Sequence, residues 1–330
     1  MIRAAFAAML LSVALFATTG CGVPSFLITP VQSTYQLEEQ TVTPGQGFGG
    51  SKIAIIEVEG MLLNMKSGGL LQPTENEVSR FTQALDMAAK DPAVKAVVLR
   101  VNSPGGTVTA SDIMYETVQR FKSQTHKPVV ASLQDVAASG AYYVSCSADK
   151  IVAHPTSVVG SIGVIFNMFT LAGTMEKIGA KSEAIKSGPL KDMGSPFRDL
   201  DPQARAVMQG IVDEYYARFV GVVTSNRPIK DTDTRKLVTD GRVFSGVRAV
   251  ELGLADRTGL LDDAIDEAKR MGHAENAKVV IYRRPYGYSG SIYAQQSVPQ
   301  PQASIMELKI PGVNDRLPSG FYYLWEPGAP

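Results

Sequence analysis

Cysteine and histidine are scarce in this sequence. Its 330 residues include two cysteines and three histidines, with no H-E-x-x-H motif and no Cys/His cluster. Zinc sites need several such ligands close together, so the scarcity argues against a metal centre, and no cofactor is expected. Cys21 directly follows an N-terminal leader-like segment. If its thiol is acylated, Cys146 is the only free thiol, and no intramolecular disulfide can form. The fold must then be stabilised by its hydrophobic core.

An excess of either charge is also lacking. The chain has 32 Lys and Arg against 32 Asp and Glu, and 45% of its residues are hydrophobic. Neutral balance gives no reason to expect nucleic-acid binding. The length suits one large domain or two modest ones, as in an ordinary globular protein.

Residues 1–20 have the layout of a secretory signal peptide, with a basic residue, an apolar run and small residues. The following "TTGCG" resembles the lipobox of bacterial lipoproteins, in which the cysteine, here Cys21, is acylated, for example with palmitate. Thr18 stands where leucine is usual. A soluble secreted protein is one alternative, and an uncleaved membrane anchor is another, although the apolar stretch is short for a membrane span. Gly22 favours the outer membrane of a Gram-negative envelope, facing the periplasm; in a Gram-positive host the protein would be extracellular.

Residues 21–51 are polar and rich in Gly, Pro, Thr and Gln, which predicts a flexible tether. Its "GQGFGG" matches the dinucleotide fingerprint in form, but no strand precedes it, so we attach no function to it. Residues 276–330 form a C-terminal extension that begins with a basic strand, "KVVIYRR", and includes the apolar run "GFYYLW".

Between these ends, residues 52–275 alternate short β-branched runs with helix-like segments. "KIAIIEVEG", "VKAVVLRVNS", "KPVVASL" and "KIVAHP" are strand-like, as is "KSEAIKSG" further along. The intervening segments have helical periodicity, and Asp201 with Pro202 is a typical helix start. This alternation predicts an α/β domain around a buried parallel sheet.

Two glycine-containing motifs suggest a reactive serine. "RVNSPGG" ends a buried strand at Gly105 and Gly106, where the main chain can turn and present N–H groups to a developing oxyanion. "AASGAYY" follows another strand and places Ser139 directly before Gly140, whose N–H could be a second donor. The motif G-x-S-x-G is missing around Ser139, which argues against an α/β-hydrolase.

The base for such a serine is less clear from the residues alone. His154 is a weak candidate, and "SADK" matches S-x-x-K, but its lysine opens a strand. A lysine shielded from water could act instead. Lys191, in "SGPLKDMGSP", and Lys186 just before it both remain open on this reasoning.

Five motifs in order, "RVNSPGG", "DVAASGAYYV", "GSIGVIF", "SGPLKDMGSPFR" and "GRVFSGVRAVELGLAD", resemble the signal peptide peptidase A family of serine proteases. The resemblance implies the Clp protease and crotonase-like fold of repeated ββα units. It also implies that Ser139 is the nucleophile, Lys191 the base and Ser161 the residue that orients the lysine. Gly106 and Gly140 would form the oxyanion hole, without histidine or metal.

The single copy of each motif resembles half-length members of that family. These assemble into rings, with an octamer as the expected size, in which Ser139 and Lys191 of one site come from adjacent protomers. The resemblance implies a membrane-associated endopeptidase that hydrolyses signal peptides or other membrane-derived peptides through an acyl-enzyme. For "GFYYLW" it leaves two roles, a groove-binding tail or an oligomer contact, and we expect the contact.

Two alternative functions share this fold. A crotonase-type acyl-CoA enzyme would use the same oxyanion hole with carboxylates, but an exported chain would not meet coenzyme A. A non-catalytic lipoprotein scaffold is the second alternative, and the presence of both Ser139 and Lys191 argues against it.

Overall fold

The computed structural model describes residues 36–46, 50–65, 76–229, 231–284 and 320–325. The predicted signal peptide, Thr18, Cys21, Gly22 and the first part of the tether lie outside the described residues. None of the helices in the described ranges is both long enough and apolar enough to cross a membrane.

The described strands belong to one sheet. They are β1 (Glu38–Thr43), β2 (Lys52–Leu62), β3 (Val94–Thr107), β4 (Val129–Ala138), β5 (Lys150–Ala153), β6 (Val158–Gly160), β7 (Ile165–Asn167), β8 (Val243–Ser245), β9 (Arg257–Thr258), β10 (Lys278–Arg283) and β11 (Gly320–Leu324). The helices are α1 (Glu77–Lys90), α2 (Val108–Thr125), α3 (Gly140–Ser145), α4 (Ala172–Lys177), α5 (Pro202–Asn226), α6 (Thr232–Val238), α7 (Gly246–Glu251) and α8 (Leu261–Met271).

The main path of the sheet runs β1-β10-β2-β3-β4-β5-β9. All its neighbouring strands are parallel except β1 and β10. Alternate residues of a strand face opposite sides of a sheet, and in β2 Ala54 and Ile56 pack with α1 and α2 while Ile53 and Ile55 pack with α8. The predicted α/β fold around a parallel sheet buried on both faces is confirmed.

The predicted helix start at Asp201 is also observed. Asp201 Oδ1 accepts a hydrogen bond of 2.7 Å from Ala204 N, and Pro202 is the first helical residue of α5. The strand expected in "KSEAIKSG" is absent: residues 181–187 are exposed, the segment 181–188 has no neighbouring strand, and Ile185 is fully exposed. Alternating apolar residues form a strand only where another strand accepts the main-chain hydrogen bonds.

Residues 38–43 lie within the predicted tether but form β1, which pairs antiparallel with β10. Leu37 is buried just before this strand, and Glu39 makes ion pairs with Lys52 at 2.7 Å and Lys278 at 3.2 Å. Polar composition suggested flexibility, but the open edge of β10 offers main-chain partners that a polar segment can use. The sheet therefore begins before residue 52.

A cluster of buried ion pairs surrounds one carboxylate of β2. Glu57, 3% exposed, pairs with Arg80 at 3.2 Å, Arg283 at 2.6 Å and Arg100. These residues come from β2, α1, β10 and β3, so one anion joins four separate elements. A buried charge that loses its partner keeps its desolvation cost, which makes this cluster a sensitive point of the fold.

We expect Glu57→Gln to lower the free energy of unfolding by about 3 kcal/mol, because the surrounding guanidinium groups lose their buried counter-charge. Urea unfolding followed by circular dichroism measures the effect. Glu267→Gln is the control, since it removes an ion pair with the exposed Arg270 and should leave the midpoint nearly unchanged. Equal effects of the two substitutions would contradict the assignment.

Candidate active site

Ser139 lies at a sharp turn between β4 and α3. Its φ and ψ are 53° and −119°, a conformation that non-glycine residues adopt at a cost and that is common at functional sites. The side chain is 1% exposed, and its Oγ has no hydrogen-bond partner among the described residues. A buried hydroxyl without a partner is uncommon and calls for an explanation.

Ser161 lies beside Ser139 because of the strand register. β4 and β6 are parallel with Ala138 opposite Gly160, so the next residue of each strand is one of these serines. Ser139 N also donates to the Gly160 carbonyl oxygen at 2.7 Å. Ser161 has a φ of 51° and is 8% exposed. Two strained serines therefore meet at adjacent strand ends, about 5 Å apart by the usual strand spacing.

Backbone strain in the described residues is concentrated here. The other non-glycine residues with positive φ are His126 and His273. His126 caps the end of α2, and His273 follows the glycine at the end of α8. A left-handed residue is usual at a helix end, whereas neither Ser139 nor Ser161 ends a helix.

Three glycines bring main chain close to Ser139. A Cβ on Gly106 would lie 2.0 Å from the Leu62 carbonyl oxygen, and one on Gly140 would lie 2.3 Å from Ser111 Oγ. Gly105 has a φ of +100°, and a Cβ there would lie 2.7 Å from Gly140 N. Only glycine permits such approaches. The structure thus brings the two predicted oxyanion glycines and both serines to one place.

The C-terminal segment occupies a groove at this place. β11 pairs antiparallel with β3, with Tyr323 opposite Gly106, and on its other side with β7. A Cβ on Gly105 would be 2.1 Å from the Tyr323 carbonyl oxygen, and one on Gly140 would be 3.1 Å from it. We expected an oligomer contact for "GFYYLW", but the structure places the segment in the groove of its own chain.

Within the described chain, neither predicted lysine base forms a hydrogen bond with Ser139 Oγ. Lys191 is exposed, and none of the described contacts joins its ammonium to Ser139. Lys186 is paired with both carboxylate oxygens of Asp192, at 2.7 and 2.8 Å, and this hydrogen bonding lowers the pKa of Asp192. The single chain therefore brings neither lysine to the serine.

His154 is not at the site either. Its Nδ1 is 2.8 Å from Thr156 Oγ1, and the residue lines a different cavity together with Glu59 and Asp135. Within the described ranges, no group of three or more His, Cys, Asp and Glu side chains is arranged to hold a metal ion.

A cavity of about 450 Å³ adjoins Ser161 and opens beside the groove. It is lined by Ser161, residues 162–165, Tyr216 and Leu324 of β11, among others. Sequence reasoning missed this cavity and also the strand β7 beside it. The only available signal was the apolar run at residues 321–325, which is unusual near a chain terminus.

This chain is similar to two known protein families. The model of Peptidase family S49 matches residues 121–275, and that of Clp protease matches residues 52–160. A protein of Methanocaldococcus jannaschii named as a protease is 37% identical over 71% of this chain and 75% of its own length. A signal peptide peptidase of Enterococcus faecium is 35% identical, over 75% and 71% respectively. Protease 4 of Salmonella typhi is 34% identical over 72% of this chain but 36% of its own.

We expect Gly140→Ala to destabilise the fold, because the new methyl group would meet Ser111 Oγ. Adding Ser111→Ala removes that oxygen, so the double variant should recover part of the stability. Thermal unfolding of both single variants and the double variant gives the coupling energy. Additive effects would contradict the close approach.

Cys146, at the end of α3, should be unreactive. Burial raises the pKa of its thiol from 9.0 to about 12, and only the thiolate reacts with alkylating reagents. At pH 8 the folded protein should be alkylated at Cys146 roughly a thousandfold more slowly than the urea-unfolded protein. Peptide mapping by mass spectrometry measures this rate separately from Cys21, and fast labelling of the folded chain would contradict the burial.

Proposed function

The chain belongs to peptidase family S49 and is a serine protease, and on that premise we propose that Ser139 is its nucleophile and Lys191 its general base. The observation that carries the proposal is the buried Oγ of Ser139, which has no hydrogen-bond partner in the described part of the chain and lies on a strained turn beside Ser161. A hydroxyl held in this way is ready to bond with an incoming base and a peptide carbonyl.

The reaction is an acyl transfer. Lys191 accepts the proton of Ser139 as Oγ bonds to the peptide carbonyl carbon, and the carbonyl oxygen becomes an oxyanion. N–H groups of Gly106 and Gly140 stabilise this charge. The C–N bond then breaks, and the lysine returns the proton to the leaving amine. Water, deprotonated by the same lysine, attacks the ester carbonyl carbon. The C–O bond to Ser139 then breaks, and the lysine returns the proton to Oγ.

Lys191 reaches Ser139 of an adjacent copy in this proposal, since its own chain does not bring them together. The surrounding segment supports such a contact. Many large apolar side chains between residues 165 and 207 are exposed, which is typical of a surface covered by a partner. They are Ile165, Phe169, Leu171, Ile178, Ile185, Phe197 and Val207. Contact with a second copy would also shield Lys191 from water, as a lysine base requires.

A ring of copies satisfies this requirement. Each copy then gives its serine to one neighbour and its lysine to the other, and a head-to-tail contact of this kind closes by rotation. We propose a homo-oligomeric ring, an octamer by family resemblance, with Ser161 orienting the incoming lysine. α5 supports it, because only Ala204, Phe219 and Val223 of this long helix are buried in the single chain.

Signal peptides and other membrane-derived peptides are the proposed substrates. The name of the Enterococcus faecium relative supports this class, as does the layout of residues 1–21, which suits a lipid anchor at Cys21 on the envelope membrane. Membership of a peptidase family does not favour the acyl-CoA enzyme or the scaffold.

Cleavage of an unfolded protein by the wild type and three variants tests the dyad. Ser139→Ala removes the nucleophile and Lys191→Ala removes the base, so each should lower kcat/KM by at least about a thousandfold. Lys186→Ala is the matched control, a lysine of the same segment, and should keep activity within about threefold of wild type.

Co-expression of the Ser139→Ala and Lys191→Ala chains tests the shared site. If serine and lysine come from different copies, about a quarter of the sites in randomly mixed rings contain both, and activity returns to that level. No recovery in a mixed oligomer would place both groups in one chain. Cleavage that survives Ser139→Ala would remove the nucleophile assignment.

A further inference from the structure

The groove beside Ser139 is one strand wide. β3 at residues 105–107 and β7 at residues 165–167 both pair with β11 and lie on its two sides. Strands in a sheet are about 4.8 Å apart, so the two edges are separated by about twice that distance. Among the described strands, β7 pairs with β11 alone. Without β11, two unpaired main-chain edges would face each other across this slot.

β11 is antiparallel to both of its neighbouring strands. β3 is parallel to β2 and β4 but antiparallel to β11. Addition of an extended segment to exposed strand edges is a common way to bind peptides, in which main-chain bonds give affinity and side-chain pockets give specificity. The Tyr323 carbonyl oxygen lies against Gly105 and Gly140, where a substrate carbonyl belongs in the proposed reaction.

An aromatic pocket receives the Tyr323 side chain. Tyr323 is fully buried, its ring stacks on Tyr143 at 5.2 Å, and the Phe219 ring lies at 4.7 Å. Its hydroxyl donates to the Tyr215 carbonyl oxygen at 2.7 Å. The pocket walls come from α3 and α5, and α3 begins directly after Ser139. The pocket is therefore held rigidly relative to the nucleophile.

We propose that this groove binds extended peptides with an aromatic side chain in the pocket of Tyr143 and Phe219, and that segment Gly320–Trp325 occupies it in competition with substrate. The proposal rests on the proposed function of Ser139 and adds a specificity to it. Tyrosine is preferred to phenylalanine at this position, because phenylalanine cannot make the hydrogen bond to the Tyr215 carbonyl oxygen.

The neighbouring residues provide an internal comparison. Alternate residues of a strand point to opposite faces, so Tyr322 points away from the pocket that holds Tyr323. Phe321 shares the face of Tyr323, and its ring contacts Phe166 at 4.7 Å and Tyr215 at 5.5 Å. Of these two adjacent tyrosines, only Tyr323 therefore places its side chain in the pocket of Tyr143 and Phe219.

Binding is tested first, without catalysis. Full-length chains with Ser139→Ala are mixed with a fluorescent peptide of sequence GFYYLW, and anisotropy gives Kd. The chain that also contains Tyr323→Ala, whose tail loses its anchor, should bind at least about tenfold tighter than the chain with an intact tail. Tyr323→Phe retains the ring and loses only the hydroxyl hydrogen bond, so it is the matched control, and its Kd should lie between those of the other two chains and nearer to that of the intact tail.

Peptide variants then test the pocket. Replacing the second tyrosine of GFYYLW by alanine should weaken binding to the Tyr323→Ala chain at least about tenfold, and replacing the first, which is buried outside this pocket, should weaken it less. Phe219→Leu in the chain keeps an apolar wall and should reduce this difference, and circular dichroism verifies that each variant is folded. Equal binding to intact and altered tails, or equal effects of the two tyrosines, would overturn the proposal.

Cleavage separates this inference from the function on which it rests. With Ser139 intact, Tyr323→Ala should cleave tyrosine-containing peptides several-fold faster than the wild type. Peptides that bind as expected but are cleaved by none of the chains would refute the proposed function alone. Cleavage that requires Ser139 but whose rate is unchanged by Tyr323→Ala and by replacement of the second tyrosine of the peptide would refute this inference alone.

Discussion

Close main-chain approach at the ends of parallel strands is the constraint on which the site depends. β4 and β6 end together beside residues 103–107 of β3, and Gly105, Gly106 and Gly140 let the main chain pack closely there. The strained turn of Ser139 persists because its N–H is bonded to Gly160 and the following helix is anchored in the core. Tyr142 in that helix donates to Leu254 and Tyr143 to Asp112. Rigid packing on several sides thus retains an unfavourable backbone conformation where the chemistry is proposed.

The same packing leaves an open position in the sheet. β3 extends beyond the last residue that pairs with β4, and β7 lies one strand width away from this extension. The sheet is continuous there only when an extended segment lies between β3 and β7. A peptidase needs such a position, since peptide substrates bind well as strands. A chain that supplies its own strand protects the exposed edges from pairing with other chains, and access of a peptide to the proposed nucleophile would then require displacement of that strand.

Charge is arranged differently in the core and at the surface. Glu57 pairs with three arginines in the core, where substitution of any of these residues would disturb several elements. The segment with Lys186 and Lys191 instead lies outside the core, between exposed apolar side chains. Asp192 restrains Lys186, which leaves Lys191 as the lysine of this segment that a second copy could receive.

The alternation of β-branched runs with helical segments determined the α/β class, the buried sheet and the start of α5 at Asp201, because local periodicity records which residues are buried. The motif glycines and Ser139 were also readable, since only small residues suit such turns, while the choice of Lys191 over Lys186 needed a family resemblance. The sequence did not reveal β1, the absence of a strand at residues 181–188, or the insertion of β11 beside Ser139. Those features depend on which strand edges meet, and main-chain hydrogen bonds are nearly independent of side-chain identity, so only the tertiary structure decided them.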